Sequence, residues 1–176
     1  DNRIKSIEED YKNKNMWLFC TSEVFSCLNL KSGQNSDYMY GKPKPHFTNS
    51  KILKDGTIWL YGKKEGALKV NLKDGKFRTE RFGKNNIGSD NIILFDAINS
   101  DRIILCTPGR MYIQTHNKLI FAYRGKSFVK IMKFADKRML LSDDGGIYQL
   151  NGNKIKSLLN IGFSKEQSYI GGIIWK

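Results

Sequence analysis

Two landmarks recur along this chain at the same spacing. Trp17 and Trp59 are 42 residues apart, and so are Gly33 and Gly75, which lie in the similar turns LKSGQ and LKDGK. One repeated residue would say little, but two different landmarks at one period indicate an internal repeat of about that length. The chain is therefore expected to fold as a series of similar small units.

The second copy shows what one unit contains. The turn sequence KDG at residues 54–56 precedes TIWLY at 57–61, which has the β-branched and aromatic residues of a strand. Glu65 and Gly66 reverse the chain, and ALKVNL at 67–72 has the composition of a returning strand. This order predicts an antiparallel meander of short strands.

Four such units account for nearly the whole chain. Weaker third and fourth copies place Ile104 and Leu140 where the first two have Trp17 and Trp59, so these four residues are predicted to be core. Units of about 40–45 residues with four strands are typical of β-propeller blades, which stack face to face because one sheet cannot cover its own apolar faces. A β-sandwich is the alternative, but it does not predict a period shared by two landmarks.

We therefore predict an all-β fold, a β-propeller segment of about four four-stranded antiparallel blades. The predicted blades are residues 4–45, 46–90, 91–126 and 127–163, and residues 164–176, which end in SYIGGIIWK, are predicted to start a further blade. On this interpretation the chain is part of a larger propeller. No apolar run approaches the roughly 18 residues of a membrane helix, and the first residues lack the apolar stretch of a signal peptide, which favours an excised mature segment.

The residues around the landmarks resemble the two-component-regulator propeller repeat over about residues 4–160. In its common form this repeat carries an acidic residue, a Gly turn, a Trp strand and a Gly-Leu hairpin. The matching residues are Ile4, Ile7, Glu9, Asp10 and Trp17 in the first copy, and Ile52, Asp55, Gly56, Trp59, Gly66, Leu68 and Gly75 in the second. The first copy departs from the pattern with Asn13-Lys14-Asn15 and Glu23-Val24, and the third and fourth copies lack the Trp.

The resemblance implies a location and a role. This repeat is typical of the periplasmic sensor regions of hybrid two-component systems in Bacteroides-like gut bacteria, which detect oligosaccharides released from complex glycans. It implies a non-enzymatic segment of an inner-membrane histidine kinase that controls polysaccharide-utilisation genes. The implied partners are an oligosaccharide, the remaining blades of the same sensor and, in the full-length protein, a second copy. No cofactor is implied.

Charge adds a hypothesis about the ligand. The chain has 30 Lys and Arg residues against 17 Asp and Glu residues, a net charge of +13, and between Pro108 and Arg138 there are eight basic residues and one acid, Asp136. Such a surface concentrates anions, so nucleic acid, an acidic membrane face and an anionic polysaccharide are the partner classes to weigh. The resemblance favours the polysaccharide, and no nucleic-acid partner is predicted. The alternative is that these residues are solvated and protect edge strands from aggregation.

The sequence lacks the sets of residues that a metal site, a nucleophilic catalytic site or a phosphate loop requires. His46 and His116 are far apart, without Cys or acidic residues at ligand spacing, so neither a zinc site nor a Cys/His pair is predicted. GKNNIGSD at residues 83–90 lacks the Gly-Lys-Ser/Thr ending of a phosphate loop and is interpreted as a connection between blades. The acidic clusters at residues 8–10 and 143–144 are assigned structural roles from their repeat positions. No catalytic residue, metal or cofactor is predicted.

The residues around the three cysteines indicate whether these are buried thiols or form a disulfide. Cys20, Cys27 and Cys106 lie on predicted strands among apolar residues, which favours buried thiols. A Cys20–Cys27 bridge across the hairpin is the alternative that the pattern leaves open.

Propeller geometry selects the candidate ligand-binding residues. In a propeller, the turns between the second and third strands and the connections between blades lie on one edge. Sugar rings have apolar faces and hydroxyl rims, so glycan sites combine aromatic with polar and charged side chains. The candidates on that edge are Lys63, Lys64, Lys84, Asn85, Arg110, Arg124 and Lys126.

Two other functions remain as alternatives to ligand sensing. A non-catalytic propeller scaffold for protein–protein interaction would use the same kind of surface loops. A polysaccharide-degrading propeller enzyme would need acidic, His and Tyr residues around the central channel, and the sequence shows no such set.

Overall fold

The computed structural model describes residues 3–20, 24–39, 47–73, 76–99, 101–115, 118–134 and 136–160. His46, His116, Gly75 and the segment 164–176 that was predicted to start a further blade lie outside these ranges. Among the described residues, no helix has the length and hydropathy needed to span a membrane.

Sixteen strands of the described chain form four sheets, named blades 1 to 4 in chain order. Blade 1 consists of β1 (Ile4–Asp10), β2 (Asn15–Cys20), β3 (Val24–Asn29) and β4 (Asn35–Met39). Blade 2 consists of β5 (Asn49–Ile52), β6 (Ile58–Gly62), β7 (Gly66–Lys73) and β8 (Lys76–Phe82). Blade 3 consists of β9 (Leu94–Asn99), β10 (Arg102–Thr107), β11 (Arg110–Thr115) and β12 (Lys118–Arg124). Blade 4 consists of β13 (Phe128–Phe134), β14 (Lys137–Ser142), β15 (Gly146–Asn151) and β16 (Lys154–Asn160).

Every blade is an antiparallel meander whose strands pair in chain order. A short helix, α1 (Lys84–Ile87), lies in the connection between blades 2 and 3. The prediction of an all-β fold made of four-stranded antiparallel blades is confirmed.

Apolar side chains on both faces of the strands hold neighbouring blades together. In β6, Ile58 and Leu60 pack towards blade 1, whereas Trp59 packs towards blade 3. Successive side chains of a strand point to opposite faces, so a run of large apolar residues such as IWLY suits a sheet that is covered on both sides. Trp59 is 1% exposed, and Ile58 and Leu60 are each 1% exposed.

Three apolar clusters fill the spaces between consecutive blades. The cluster between blades 1 and 2 contains Trp17, Phe19, Phe25, Cys27, Ile58, Leu60 and Val70. The cluster between blades 2 and 3 contains Leu53, Trp59, Ala67, Phe82, Ile87, Ile92, Ile103, Leu105 and Tyr112. The cluster between blades 3 and 4 contains Ile104, Cys106, Met111, Ile113, Phe128, Leu140, Tyr148 and Leu150. None of these clusters of described residues joins blade 4 to blade 1.

The repeat position of the two tryptophans is confirmed, and one of its predicted equivalents is corrected. Trp17, Trp59 and Ile104 all lie in the second strand of a blade and face the following blade. Leu140 is buried as predicted, but it packs into the cluster shared with blade 3, the preceding blade. A shift of one residue along a strand turns the side chain to the other face, so Met139 occupies the position of the Trp.

Candidate functional site

The hairpins between second and third strands meet the connections between blades along one edge of the array, here called the connection edge. In blade 2, the Gly66 N–H donates to the Asp90 carbonyl at 2.7 Å, and the Ile92 N–H donates to the Gly62 carbonyl at 3.2 Å. In blade 3, the Gly125 N–H donates to the carbonyl of Gly109 at 2.9 Å. The placement of turns and connections on one edge is therefore as expected.

The connection at residues 83–90 is held by its own polar side chains. The Asn86 side chain accepts a hydrogen bond from the Gly83 N–H at 2.7 Å and donates to the Arg81 carbonyl at 2.8 Å. The Lys84 N–H donates to Asp90 Oδ1 at 2.9 Å. These bonds satisfy backbone groups of the loop and leave the side chains of Lys84 and Asn85 exposed to solvent.

A cavity of about 400 Å³ opens beside this connection. It is lined by Arg81, Gly83, Lys84, Asn85, Asn86 and Asp90. Arg81 also donates to the Glu65 carbonyl at 3.2 Å and lies 3.5 Å from the carboxylate of Glu65 in the neighbouring hairpin. The cavity therefore offers amide, guanidinium and ammonium donors together with one carboxylate.

Arg110 lies against the same connection from blade 3. A Cβ atom added to Gly88 would fall 2.0 Å from Arg110 Nη1, so the guanidinium occupies the space that a side chain at Gly88 would fill. Gly88 has a φ of 68°, in the left-handed region that glycine adopts without strain. Arg124 is the cross-strand partner of Arg110 and is exposed, which brings two cations side by side.

Lys126 is committed to an ion pair. Its ammonium contacts Asp144 Oδ2 in the hairpin between β14 and β15. The hydrogen bond and the charge of Asp144 raise the pKa of Lys126, and the hydrogen bonds from Lys126 and Ser142 lower the pKa of Asp144. A ligand anion would have to compete with this carboxylate for Lys126.

The structure thus brings the seven predicted residues to one edge, but not to one point. Lys84, Asn85 and Arg110 surround the connection at 83–90, Lys63 and Lys64 lie exposed in the adjoining hairpin, and Arg124 and Lys126 lie at the connection to blade 4. Sequence analysis missed Arg81 and Asp90. No local signal marks them, because their place in the cavity depends on how the connection folds back on blade 2.

The acidic clusters make hydrogen bonds typical of turns. Asp10, which is 4% exposed, accepts hydrogen bonds from the backbone N–H of Asn13 at 3.1 Å and from its side-chain amide at 2.7 Å. Asp144 accepts from the Ser142 hydroxyl at 2.6 Å. A search of the described residues finds no group of three or more His, Cys, Asp or Glu side chains placed to hold a metal ion.

All three cysteines are free thiols in the structure. Burial, with a smaller effect of the Asp96 charge, raises the pKa of Cys106 to about 12. Burial and the charge of Asp10 raise the pKa of Cys27 to about 11. Thiols with such high pKa values are poor nucleophiles at neutral pH because the thiolate is the reactive form.

Comparison with solved structures finds proteins of similar backbone. The extracellular domain of the hybrid two-component system BT3049 of B. thetaiotaomicron has a TM-score of 0.60 and 14% identity, over 86% of this chain and 22% of that chain. PorZ, a surface component of the type-IX secretion system of Porphyromonas gingivalis, has a TM-score of 0.65 and 13% identity, over 91% of this chain and 23% of that chain. Virginiamycin B lyase of Staphylococcus aureus has a TM-score of 0.63 and 15% identity, over 86% of this chain and 53% of that chain.

At these identities the likeness shows the β-propeller fold. The chain spans less than a quarter of the first two proteins and about half of the lyase. No protein-family model matches the chain, and a search of the curated proteins finds no match.

Proposed function

We propose that this chain is the ligand-sensing propeller segment of a periplasmic sensor in a hybrid two-component system. The structural likeness to the extracellular domain of such a system supports the sensor role. Its ligand is an oligosaccharide, and the chain itself is not catalytic. The remaining blades of the sensor, a second copy of the full-length protein and a membrane-bound kinase that controls polysaccharide-utilisation genes are the partners of this proposal.

The observation that carries the proposal is the arrangement of donors on the connection edge. The cavity beside residues 83–90 combines the side chains of Lys84, Asn85 and Arg81, and the guanidinium of Arg110 lies against the same loop. Guanidinium groups bind carboxylate and sulfate through two parallel hydrogen bonds, and ammonium groups add charge. An acidic oligosaccharide, with sulfate or uronic acid groups, is therefore the ligand that this edge fits better than a neutral one.

Calorimetry tests the ligand class directly. We expect the chain to bind a sulfated or uronic-acid oligosaccharide more tightly than a neutral oligosaccharide of the same length, with an affinity that falls as salt increases. Equal affinity for both ligands, or tight binding indifferent to salt, contradicts the acidic ligand. Binding of neither ligand favours a scaffold for protein–protein interaction.

Two variants locate the site. Because a hydrogen bond to a charged group contributes about 1.5–3 kcal/mol, we expect Lys84→Gln and Arg110→Gln each to weaken binding by roughly tenfold or more. Lys156→Gln removes the same charge from an exposed position on β16, away from the connection edge, and is expected to change the affinity little. A loss as large in Lys156→Gln would show that only net charge matters.

The signalling part of the proposal has a separate test. We expect the complete reading frame that contains this chain to encode a membrane span and histidine kinase modules. A reading frame without them would contradict signalling and leave the binding result unaffected.

A further inference from the structure

The two ends of the blade stack present faces of opposite charge. The face of blade 4 turned away from blade 3, here the blade 4 outer face, is defined by strand register. It carries Lys130, Lys137, Lys154 and Lys156, all exposed. None of the described strand residues that the register places on this face is acidic.

The face of blade 1 turned away from blade 2, here the blade 1 outer face, has the other sign. Strand register places Glu9 and Asp37 on it, and both are exposed. Asp37 accepts hydrogen bonds from Ser26 at 2.5 Å and Asn35 at 3.2 Å, which orient the carboxylate without neutralising it. The described strand residues that register assigns to this face include no Lys or Arg.

Both outer faces also have apolar surface that neighbouring blades cover elsewhere. Met16 and Leu18 occupy the repeat positions of Ile58 and Leu60, but they are half-buried rather than 1% exposed. On the same face Ile7 and Met39 are 57% and 68% exposed. On the blade 4 outer face Phe134 and Leu159 are 70% and 48% exposed. Exposed apolar surface of this kind marks a site of association.

The two outer faces have the geometry to meet each other. Each blade has one face with the Trp position and one face without it. In all three contacts between consecutive blades, the face with the Trp position packs on the face of the following blade that lacks it. The blade 4 outer face carries Met139, which occupies the Trp position, whereas the blade 1 outer face is the face without the Trp position. Blade 4 against blade 1 therefore repeats an arrangement already present three times, whereas blade 1 against blade 1 would oppose acidic residues.

We infer that two copies of this chain pair head to tail, with blade 4 of each copy packed on blade 1 of the other. Two equivalent contacts then close a ring of eight blades, within the four to eight that propellers contain. The length of the chain agrees with half of such a ring, since the chain covers 53% of the virginiamycin B lyase chain. The inference concerns the chain of 176 residues by itself and does not depend on the proposed ligand; in the longer sensor of the proposed function, the remaining blades take the place of the second copy at these two faces.

Sedimentation velocity over a range of protein concentrations tests the pairing. At low salt we expect a species of twice the 20.3 kDa mass of the chain, which dissociates as salt increases. The variant Lys137→Glu with Lys156→Glu and the variant Glu9→Lys with Asp37→Lys are each expected to weaken pairing by at least about tenfold, because each places like charges at both contacts.

Mixing the two variants gives the decisive result. An equimolar mixture has opposite charges at both contacts, so we expect it to recover the pairing strength that each variant alone has lost. The matched control, Lys63→Glu with Lys84→Glu, makes the same charge change on the connection edge and is expected to dimerise like the unaltered chain. Circular dichroism checks that every variant is folded.

Three results would overturn the inference. A monomer at all concentrations and salts would show that these faces take blades of another polypeptide segment. A dimer that tolerates both charge reversals would show a different interface. Assemblies larger than two copies would show that the contacts do not close.

Discussion

At the scale of single residues, Gly66 has little room for change because the atoms nearest to it belong to the backbone. Its φ is 73°, and an added Cβ would fall 2.1 Å from the carbonyl oxygen of Phe82. This closeness follows from the pairing of β7 with β8, in which Ala67, the next residue, lies opposite Phe82. Gly33 has a similar φ of 70° but has no atom within 4 Å of the added Cβ.

We expect Gly66→Ala to lower the free energy of unfolding by about 3 kcal/mol or more, because a backbone clash adds to the left-handed strain. Gly33→Ala should lower the free energy of unfolding only by the left-handed backbone strain, about 1–2 kcal/mol. Urea unfolding of the two variants measures the difference. Equal losses of unfolding free energy in the two variants would mean that the hairpin at Gly66 moves away from Phe82 at little cost.

The thiols make a second prediction at this scale. Because burial raises the pKa of Cys106 to about 12 and that of Cys27 to about 11, iodoacetamide at pH 8 should modify the half-buried Cys20 first and spare the other two until the chain unfolds. Mass spectrometry of the peptides identifies the modified residue. Rapid modification of folded Cys106 would contradict its burial.

The same pKa values predict how stability depends on pH. Since the unfolded thiols ionise near pH 9 and the folded ones do not, the free energy of unfolding should fall as pH rises above about 9.

At the scale of elements, Arg138 connects two blades. From β14 its Nε donates to Asp96 Oδ2 on β9 at 2.8 Å, and its Nη2 donates to the carbonyls of Ala97 at 3.3 Å and Ile98 at 3.4 Å. Its side chain is 14% exposed. The contact therefore fixes blade 4 against the innermost strand of blade 3 through a charged group that solvent screens only partly.

A double-mutant cycle of Arg138→Met and Asp96→Asn measures this connection. We expect a coupling energy of about 1–3 kcal/mol, because the pair is partly buried and hydrogen-bonded. The control is the Lys69–Glu80 pair within blade 2, at 4.0 Å with Glu80 56% exposed, for which we expect at most about 0.5 kcal/mol. Similar coupling in both pairs would show that Arg138 acts only as a surface charge.

At the scale of the whole molecule, the stack has two interior blades and two terminal blades. Among the described residues, apolar clusters cover both faces of blades 2 and 3 and one face each of blades 1 and 4. In repeat arrays each unit is stabilised mainly by its nearest neighbours. Stability should therefore be graded along the chain, unless the outer faces are covered by a second copy.

Hydrogen exchange tests this gradient. At high salt, where head-to-tail pairing is weak, we expect slower amide exchange in β6 and β10 than in β2 and β14. At low salt and high protein concentration the difference should shrink, because pairing covers the outer faces of the terminal blades. Uniform protection at high salt would indicate that the four blades unfold as one unit.

The fold could be predicted from the sequence because its main requirement is local and repeated. Every blade needs short strands, tight turns and large apolar residues on both faces, so the same positions recur, as Trp17 and Trp59 do. The shortened fourth copy weakened this signal. Its turn lengths alone did not distinguish Met139 from Leu140, and only the pairing of β14 with β13 and β15 decided which side chain faces which blade.

The site depended on tertiary structure to a much larger extent. The sequence determined that basic residues are abundant and which turns share an edge. Only the folded chain placed Arg110 against Gly88, engaged Lys126 with Asp144 and brought Arg81 to the cavity beside residues 83–90. It also sorted the charges between the two outer faces, because the face on which a side chain lies depends on strand register. Repeated local patterns survive in a sequence, whereas the proximity of distant side chains arises only when the blades pack.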